Sequence, residues 1–339
     1  MSANGSTEAD SNGARRFGLT VGSLGVLGSS AMIDIAQSAQ AQGYSSVWTV
    51  EATGTDAFST LGAICHAAPE LDLATGIIPI QLRTPPLVAM TAATLQWLRP
   101  DRDVLVGLGV SAPGILRQHG APAPDRPIAM MREYVALLRE CLSGETVTFE
   151  GDFWQVRRFR LAVRLGEQRP KIVLAALNPQ MLRLAGEIAD GVLLNYVPAS
   201  HVPAAVSEVR AGGDAQIICY VHAAAGELER SARSAQRDLL NYVMADGYAN
   251  AFRAAGFGDE VDEARARQSE RDRDGALAAI SNDMIQAIDF VGTPAEIGEF
   301  TRAYVDAGVE YPVLMPLPWG DDRRAVTDET MAAFAAAFG

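Results

Sequence analysis

Lysine is almost absent from this chain. It occurs once, at Lys171, so nearly all of the 28 basic residues are arginines. A Schiff-base mechanism would have to use Lys171, which opens an apolar run where a structural role fits it better. Cysteine is scarce as well. Cys65, Cys141 and Cys219 are odd in number and widely spaced, which argues against a disulfide or zinc framework and reads as three buried small hydrophobes. The four histidines, His66, His119, His201 and His222, make no i, i+4 pair and no HExxH motif, so no metal site is expected. No apolar run reaches membrane-spanning length. Met1 to Ala14 is polar and rich in glycine and serine, without the apolar core of a signal peptide, and reads as a disordered tail. These absences predict a soluble, intracellular (cytoplasmic) protein. The net charge of −13 argues against nucleic acid and anionic membrane surfaces as partners. An anionic ligand would have to rely on local arginines or helix N-termini. No GxSxG, P-loop or catalytic-triad pattern is present.

What is present is a core-sized apolar content, 48% of 339 residues, arranged in a repeating unit. Leu71 to Pro86, LDLATGIIPIQLRTPP, shows it best: a β-type run, a break at Gly76 and Pro79, then a helix start with Thr84 as cap and prolines in its first turn. Glycine at a strand end marks a bulge or a close approach to a ligand. The unit recurs. Predicted strands are Phe17 to Val21, Ser46 to Val50, Leu71 to Gly76, Asp103 to Gly109, Lys171 to Ala175, Gly191 to Asn195, Ala215 to Ala223 and Tyr311 to Leu317. Helices follow each, with Asp56 capping one and a capping box at Thr293 to Glu296 starting another. A long loop is read over Val110 to Pro127. Two segments break the alternation. Thr146 to Val163 alternates like a hairpin around Gly151-Asp152, and Glu227 to about Ile288 reads as helical and charged.

Eight strands alternating with eight helices predict an α/β fold, a (β/α)8 TIM barrel. It would carry a hairpin insertion after the fourth helix and a helical insertion between the seventh and eighth strands. A doubly wound open sheet is the competing reading. Runs such as IVLAA and VLLN suit parallel strands buried on both faces. In a barrel, chemistry sits at the C-terminal strand ends. There KIVLAALNPQM places Asn178 at a helix N-cap with Pro179 in the first turn, and such a helix start presents open N–H groups to a phosphate. GLGVSA, Gly107 to Ala112, matches a dinucleotide fingerprint, but no helix begins there and no acidic residue closes a following strand, so the match is discounted. Few strong acids or bases line the strand ends, which suits a reaction whose hard chemistry is carried by a cofactor.

The chain resembles the bacterial luciferase-like superfamily in its coenzyme F420 (deazaflavin)-dependent branch, which includes methylenetetrahydromethanopterin reductase. The resemblance is carried by SVWTVEATGTDAF (Ser46 to Phe58), ATGIIPIQLRTPPLVAMTAATL (Ala74 to Leu95), VGLGVSAP (Val106 to Pro113), FEGDFWQV (Phe149 to Val156), AALNPQMLRLAGEIADGVLLN (Ala175 to Asn195) and VGTPAEI (Val291 to Ile297). It implies one TIM-barrel domain over 15–339. It also implies a non-prolyl cis peptide at Gly76–Ile77 forming a bulge under the flavin-type ring. Ala176, Leu177, Asn178, Gln180 and Met181 would hold the cofactor phosphate, Thr53 would lie near the ring, and Glu51 or Ser111 would supply the proton that balances hydride transfer. The activity implied is hydride transfer between reduced F420 and a small organic substrate with a C=C or C=N bond. An FMN-dependent monooxygenase and a non-catalytic F420-binding protein are the alternatives. A homodimer and an F420-reducing dehydrogenase as supplier are implied partners. Sugar-phosphate dehydrogenases of this branch carry histidine and glutamate where this chain has Ala52 and Ala112, and the reductase's acidic first-strand residue is replaced by Thr20 or a neighbour. These departures argue against alcohol oxidation and against a folate-type substrate.

Overall fold

The computed structural model describes residues 16–338; the tail expected over 1–14 lies outside them. The strands are β1 (Gly18–Thr20), β2 (Ser46–Thr49), β3 (Asp72–Thr75), β4 (Ile78–Pro79), β5 (Val104–Gly109), β6 (Val147–Glu150), β7 (Gln155–Phe159), β8 (Lys171–Ala175), β9 (Gly191–Leu194), β10 (Gln216–Ala225), β11 (Asp289–Gly292) and β12 (Tyr311–Pro316). Among the described residues, β1, β2, β3, β5, β8, β9, β10 and β12 pair in parallel, and the β9–β10 and β12–β1 pairings close them into a barrel. The short β4 continues β3 after a break and also pairs with β5.

Two layers of apolar side chains hold the barrel. The lumen is filled by Trp48, Ala74, Leu105, Val173, Leu193, Ile218, Tyr220, Tyr311 and Val313. Several are neighbours in register, Trp48 with Ala74, Ala74 with Leu105 and Ile218 with Leu193, so they stack as rings across the barrel. The polar atoms in this layer are paired: Trp48 Nε1 and the Tyr311 hydroxyl both donate to Ser46 Oγ, at 2.8 and 2.7 Å. The larger apolar layer lies between strands and helices, with Leu19, Val47, Leu73, Val106, Leu174 and Val192 facing Ile35, Leu61, Val88, Leu138 and Leu182. Each such side chain contributes about 1.5–3 kcal/mol on burial.

The structure corrects several expectations. β10 runs to Ala225, beyond the expected end at Ala223, because β11 pairs with its last four residues. β11 itself lies between the expected helical stretch and the Thr293 cap, where no strand is predicted. The single helical stretch from Glu227 resolves into helices Leu228–Val243, Asp246–Ala254, Gly258–Ser269, Arg273–Ala278 and Asn282–Ile288. The breaks are locally encoded: Gly256 turns at φ +101°, and Asp272 and Ser281 cap the last two helices through their side chains. The loop over Val110 to Pro127 contains a helix, Pro113–Gln118. Thr84 stands at its N-cap position but its side chain makes no capping bond; Pro85 and Pro86 alone set that first turn. Among the described residues no helix is long and apolar enough to cross a membrane.

Candidate active site

The C-terminal end of β3 breaks at a cis peptide between Gly76 and Ile77, the bond the resemblance singled out. The break is tied on both sides. Gly76 N donates to Thr49 O at 2.7 Å, and Glu51 N donates to Ile77 O at 3.1 Å. From within the lumen, the Tyr220 hydroxyl donates to Gly76 O at 3.1 Å, and a Cβ at Gly76 would stand 1.9 Å from that hydroxyl. β5 supplies the opposite wall. A Cβ at Gly107 would meet Thr75 O at 1.8 Å, and one at Gly109 would meet Ile77 Cδ1 at 2.7 Å. The glycines of GLG are therefore there to let the break lie flat against β5, which gives the discounted fingerprint its physical reason.

Beside the break, Arg83 forks Glu51: Nε lies 2.9 and 3.2 Å from the two carboxylate oxygens and Nη2 lies 2.7 Å from Oε2. Asp56 also pairs with Arg83, and the Arg83 guanidinium lies 5.1 Å from the centre of the Phe58 ring. Hydrogen bonds donated to Glu51 hold the Arg83 guanidinium above its ordinary pKa. Tyr134 fixes the arginine's backbone through a 2.8 Å bond to Arg83 O. Glu51 is thus a carboxylate with both oxygens engaged, an anchor for Arg83 beside the break. Thr53 is exposed on the loop after β2, and that loop is tied to helix Pro113–Gln118 through His119 Nε2 and Ala52 O at 2.6 Å. Ser111 is half-buried just past β5, two residues beyond the glycine that faces Ile77.

The expected phosphate end takes shape between β8, β9 and the added helices. Asn178 caps helix Pro179–Ile188, its Oδ1 accepting from Met181 N at 2.9 Å. Pro179 has no N–H and Leu182 N bonds to Asn178 O, so the Gln180 N–H is the open donor of this first turn. A cavity of about 250 Å³ opens there, lined by Ala176, Leu177, Asn178 and Pro179, by Tyr196 and His201, and by Gly247 and Asn250 from helix Asp246–Ala254. Among the described residues no lysine or arginine lines it, and one acidic residue, Glu208, does. An anion would therefore be held by backbone N–H groups and neutral donors, which is what a helix start offers. Met181 is buried beneath this turn and the Gln180 side chain is exposed.

A third group was not foreseen from the sequence. His222, 1% exposed, continues the inward-facing positions Ile218 and Tyr220 along β10. Its Nδ1 lies 2.9 Å from Asp289 Oδ1 on β11, and its Nε2 lies 2.8 Å from Asn195 Oδ1 at the end of β9. Tyr196, at φ +54°, packs at a tilt against Tyr242 with ring centroids 3.8 Å apart and donates to Asp238 Oδ2 at 2.7 Å. Burial pushes Asp289 up to about 8; burial and then the charge of Asp289 push Asp238 up to about 7. Burial holds His222 down to about 4.

The signs fix a pH dependence. The unfolded chain releases its aspartate protons at about pH 3.9, whereas the folded chain keeps these two until about 7 and 8. Folded protein thus binds more protons in that window, and stability falls as pH rises through it. His222 acts oppositely, but only between about 4 and its unfolded value of about 6.5. From pH about 6.5 to 8 the carboxyls act alone. The melting temperature is expected to drop by a few degrees over that interval, and Asp289→Asn should flatten the drop. A thermal-melt series that rises with pH there would contradict this assignment.

The fold and these strand-end groups define a class, and the sequence comparison agrees. The chain belongs to the luciferase-like monooxygenase family, which it matches over residues 19–311. Among curated relatives it is similar to a 5,10-methylenetetrahydromethanopterin reductase of Methanolobus tindarius, 25% identical over 81% of this chain and 86% of that protein. Among solved structures it is similar to the coenzyme F420-dependent tetrahydromethanopterin reductase of Methanopyrus kandleri, with a TM-score of 0.80 at 20% identity over 96% of this chain and all of that one. It is also similar to an F420-dependent secondary alcohol dehydrogenase in complex with an F420-acetone adduct, with a TM-score of 0.71 at 19% identity, over 95% of this chain and 99% of that one. At those identities the structural likeness is one of fold.

Proposed function

We propose that this protein is a coenzyme F420-dependent oxidoreductase that moves a hydride between reduced deazaflavin and a small organic substrate with an activated C=C or C=N bond. The observation that carries the reading is the close packing at the barrel mouth of Gly76 against the Tyr220 hydroxyl and of Gly107 and Gly109 against Thr75 and Ile77. F420 appears by name in the two structural relatives above. When bound, the deazaflavin supplies the hydride. The chain's residues would seat the ring on Gly76 and Ile77, with Thr53 near its edge, and receive the phosphate at Ala176, Leu177, Asn178, Gln180 and Met181. With both Glu51 oxygens engaged by Arg83, Glu51 anchors the loop beside the ring and Ser111 passes the balancing proton from solvent. The hairpin β6–β7 and the helices of 228–288 are insertions on one barrel domain spanning 15–339, and the second of them walls the phosphate end. Titration with F420 and FMN in parallel tests the reading. Tight F420 binding with weak FMN binding is expected; the reverse would point to a two-component monooxygenase.

The same reading includes a homodimer. Leu87, Met90, Trp97 and Leu98 are 43, 51, 66 and 52% exposed, and their spacing puts all four on one face of helix Pro85–Leu98. On that face Thr91 and Thr94 turn their hydroxyls back to Leu87 O and Met90 O, so both donate within the helix. A second copy is the partner this patch suits. Trp97→Arg should weaken association by about 2 kcal/mol or more, seen as a shift to monomer in sedimentation velocity. An F420-reducing dehydrogenase in the same compartment, the cytoplasm, would return the cofactor to its reduced form.

A further inference from the structure

Alternation along β9 turns Leu193 into the lumen and carries Asn195, two residues on, to the same side at the mouth. Asn195 is half-buried there. Its oxygen is already spoken for by His222 Nε2 at 2.8 Å. The sense of that bond agrees with what lies behind it. The Asn195 oxygen can only accept, so Nε2 carries the hydrogen and Nδ1 of a neutral imidazole is an acceptor, for which the fully buried Asp289 carboxyl, 2.9 Å away and driven towards its protonated form by burial, is the donor. A neutral imidazole that accepts at Nδ1 must carry its hydrogen on Nε2, and it donates that hydrogen to the amide oxygen. Asp238 and Tyr242 on helix Leu228–Val243, Tyr248 on the next helix, Tyr196 and Tyr304 complete the titratable groups that face this cluster. One amide hydrogen of Asn195 points to the Tyr248 hydroxyl at 3.4 Å. The other has no acceptor among the described residues.

We propose that Asn195 is a fixed hydrogen-bond donor at the barrel mouth for a carbonyl oxygen of a bound molecule, and that His222 and Asp289 are positioning residues that keep its amide from turning. The proposal rests on the hydride-transfer reading for the identity of that molecule, whose carbonyl belongs either to the deazaflavin ring or to the substrate. On an enone the donor has a chemical use. Hydride added at the carbon β to the carbonyl breaks the C=C π bond and sends its electron pair to the oxygen. The amide N–H holds that enolate oxygen while the α carbon takes a proton from solvent, leaving the saturated ketone.

Two measurements decide it. The first needs no cofactor: nitrogen-15 NMR of His222 in the free protein near pH 7. The Nε2–H tautomer is expected, retained in Asp289→Asn, which donates to Nδ1 as a protonated aspartate does, and lost in Asp289→Leu. An Nδ1–H tautomer in the parent protein would turn the amide oxygen outward and overturn the proposal. The second compares the parent with Asn195→Asp, which keeps the shape and loses the donor, and Asn195→Leu, using F420 affinity and 2-cyclohexenone reduction by reduced F420. A loss of roughly tenfold in F420 affinity places the carbonyl on the ring; a similar loss in kcat/KM for the enone at unchanged F420 affinity places it on the substrate. Folded variants unchanged in both overturn the proposal. Failure of the parent protein itself to bind F420 would instead reject the hydride-transfer reading, and the tautomer would still decide the donor.

Discussion

Gly107→Ala should be among the most damaging single methyl additions in the chain, with a loss of about 3 kcal/mol of stability and of cofactor binding together. The added Cβ would stand 1.8 Å from Thr75 O and 2.8 Å from Thr75 C, both backbone atoms. Neither can swing aside as a side chain does. Thr75 is further pinned to the same residue, its Oγ1 accepting from Gly107 N at 2.8 Å and donating to Gly107 O at 3.0 Å. The clash is relieved only by moving β3 away from β5, which carries the Gly76–Ile77 break with it. Gly109→Ala is the graded comparison. Its Cβ would meet Ile77 Cδ1 at 2.7 Å, the far end of a side chain that can rotate, so the expected loss is smaller. Gly54→Ala, with nothing within 4 Å, should be neutral. Urea melts of the three variants check the order; equal stabilities would mean that the break is not braced by β5.

Asn178→Asp should weaken F420 binding by roughly tenfold to a few hundredfold, and Asn178→Ser by much less. Aspartate and serine both cap helices, so either can replace the Asn178 Oδ1 bond to Met181 N. They differ in charge. Among the described residues the cavity beside this turn is lined by no lysine or arginine but by the carboxylate of Glu208, and the chain as a whole carries −13, so a further carboxylate placed against a phosphate is not offset by the cavity wall. Stability measured on the same variants separates cap loss from charge, since losing the cap alone costs about 0.5–2 kcal/mol. Similar affinities in two folded variants would put the phosphate elsewhere on the barrel.

The legible parts of this molecule were the local ones. Asp56 and Asn178 cap their helices through side-chain bonds, and the Thr293–Glu296 box forms both of its reciprocal bonds. Each of these is fixed by residues within a single turn. The barrel strands were legible because buried parallel strands are unbroken apolar runs ended by glycine or a cap. What escaped depends on contacts distant in sequence. β11 is four residues long and is defined only by pairing with β10, 67 positions away. The His222, Asp289 and Asn195 cluster has no spacing that a motif could record. The one available signal was alternation: His222 falls on the inward phase of Ile218 and Tyr220, where a histidine needs partners. Arg83 shows the same limit. It read as part of a helix start, yet its fork onto Glu51 joins two strand ends and changes what that carboxylate can do.

The mouth of this barrel delivers hydride from a bound deazaflavin. The most direct measurement is an anaerobic single-turnover reaction of the protein with stoichiometric reduced F420 and a panel of enones and imines, following reoxidation of the cofactor by absorbance. Reoxidation that requires the protein and one of those substrates, with the reduced organic product recovered in equal amount, is the predicted result. Stable reduced F420 with every substrate, alongside oxygen-dependent turnover of reduced FMN, would make the protein a flavin monooxygenase instead.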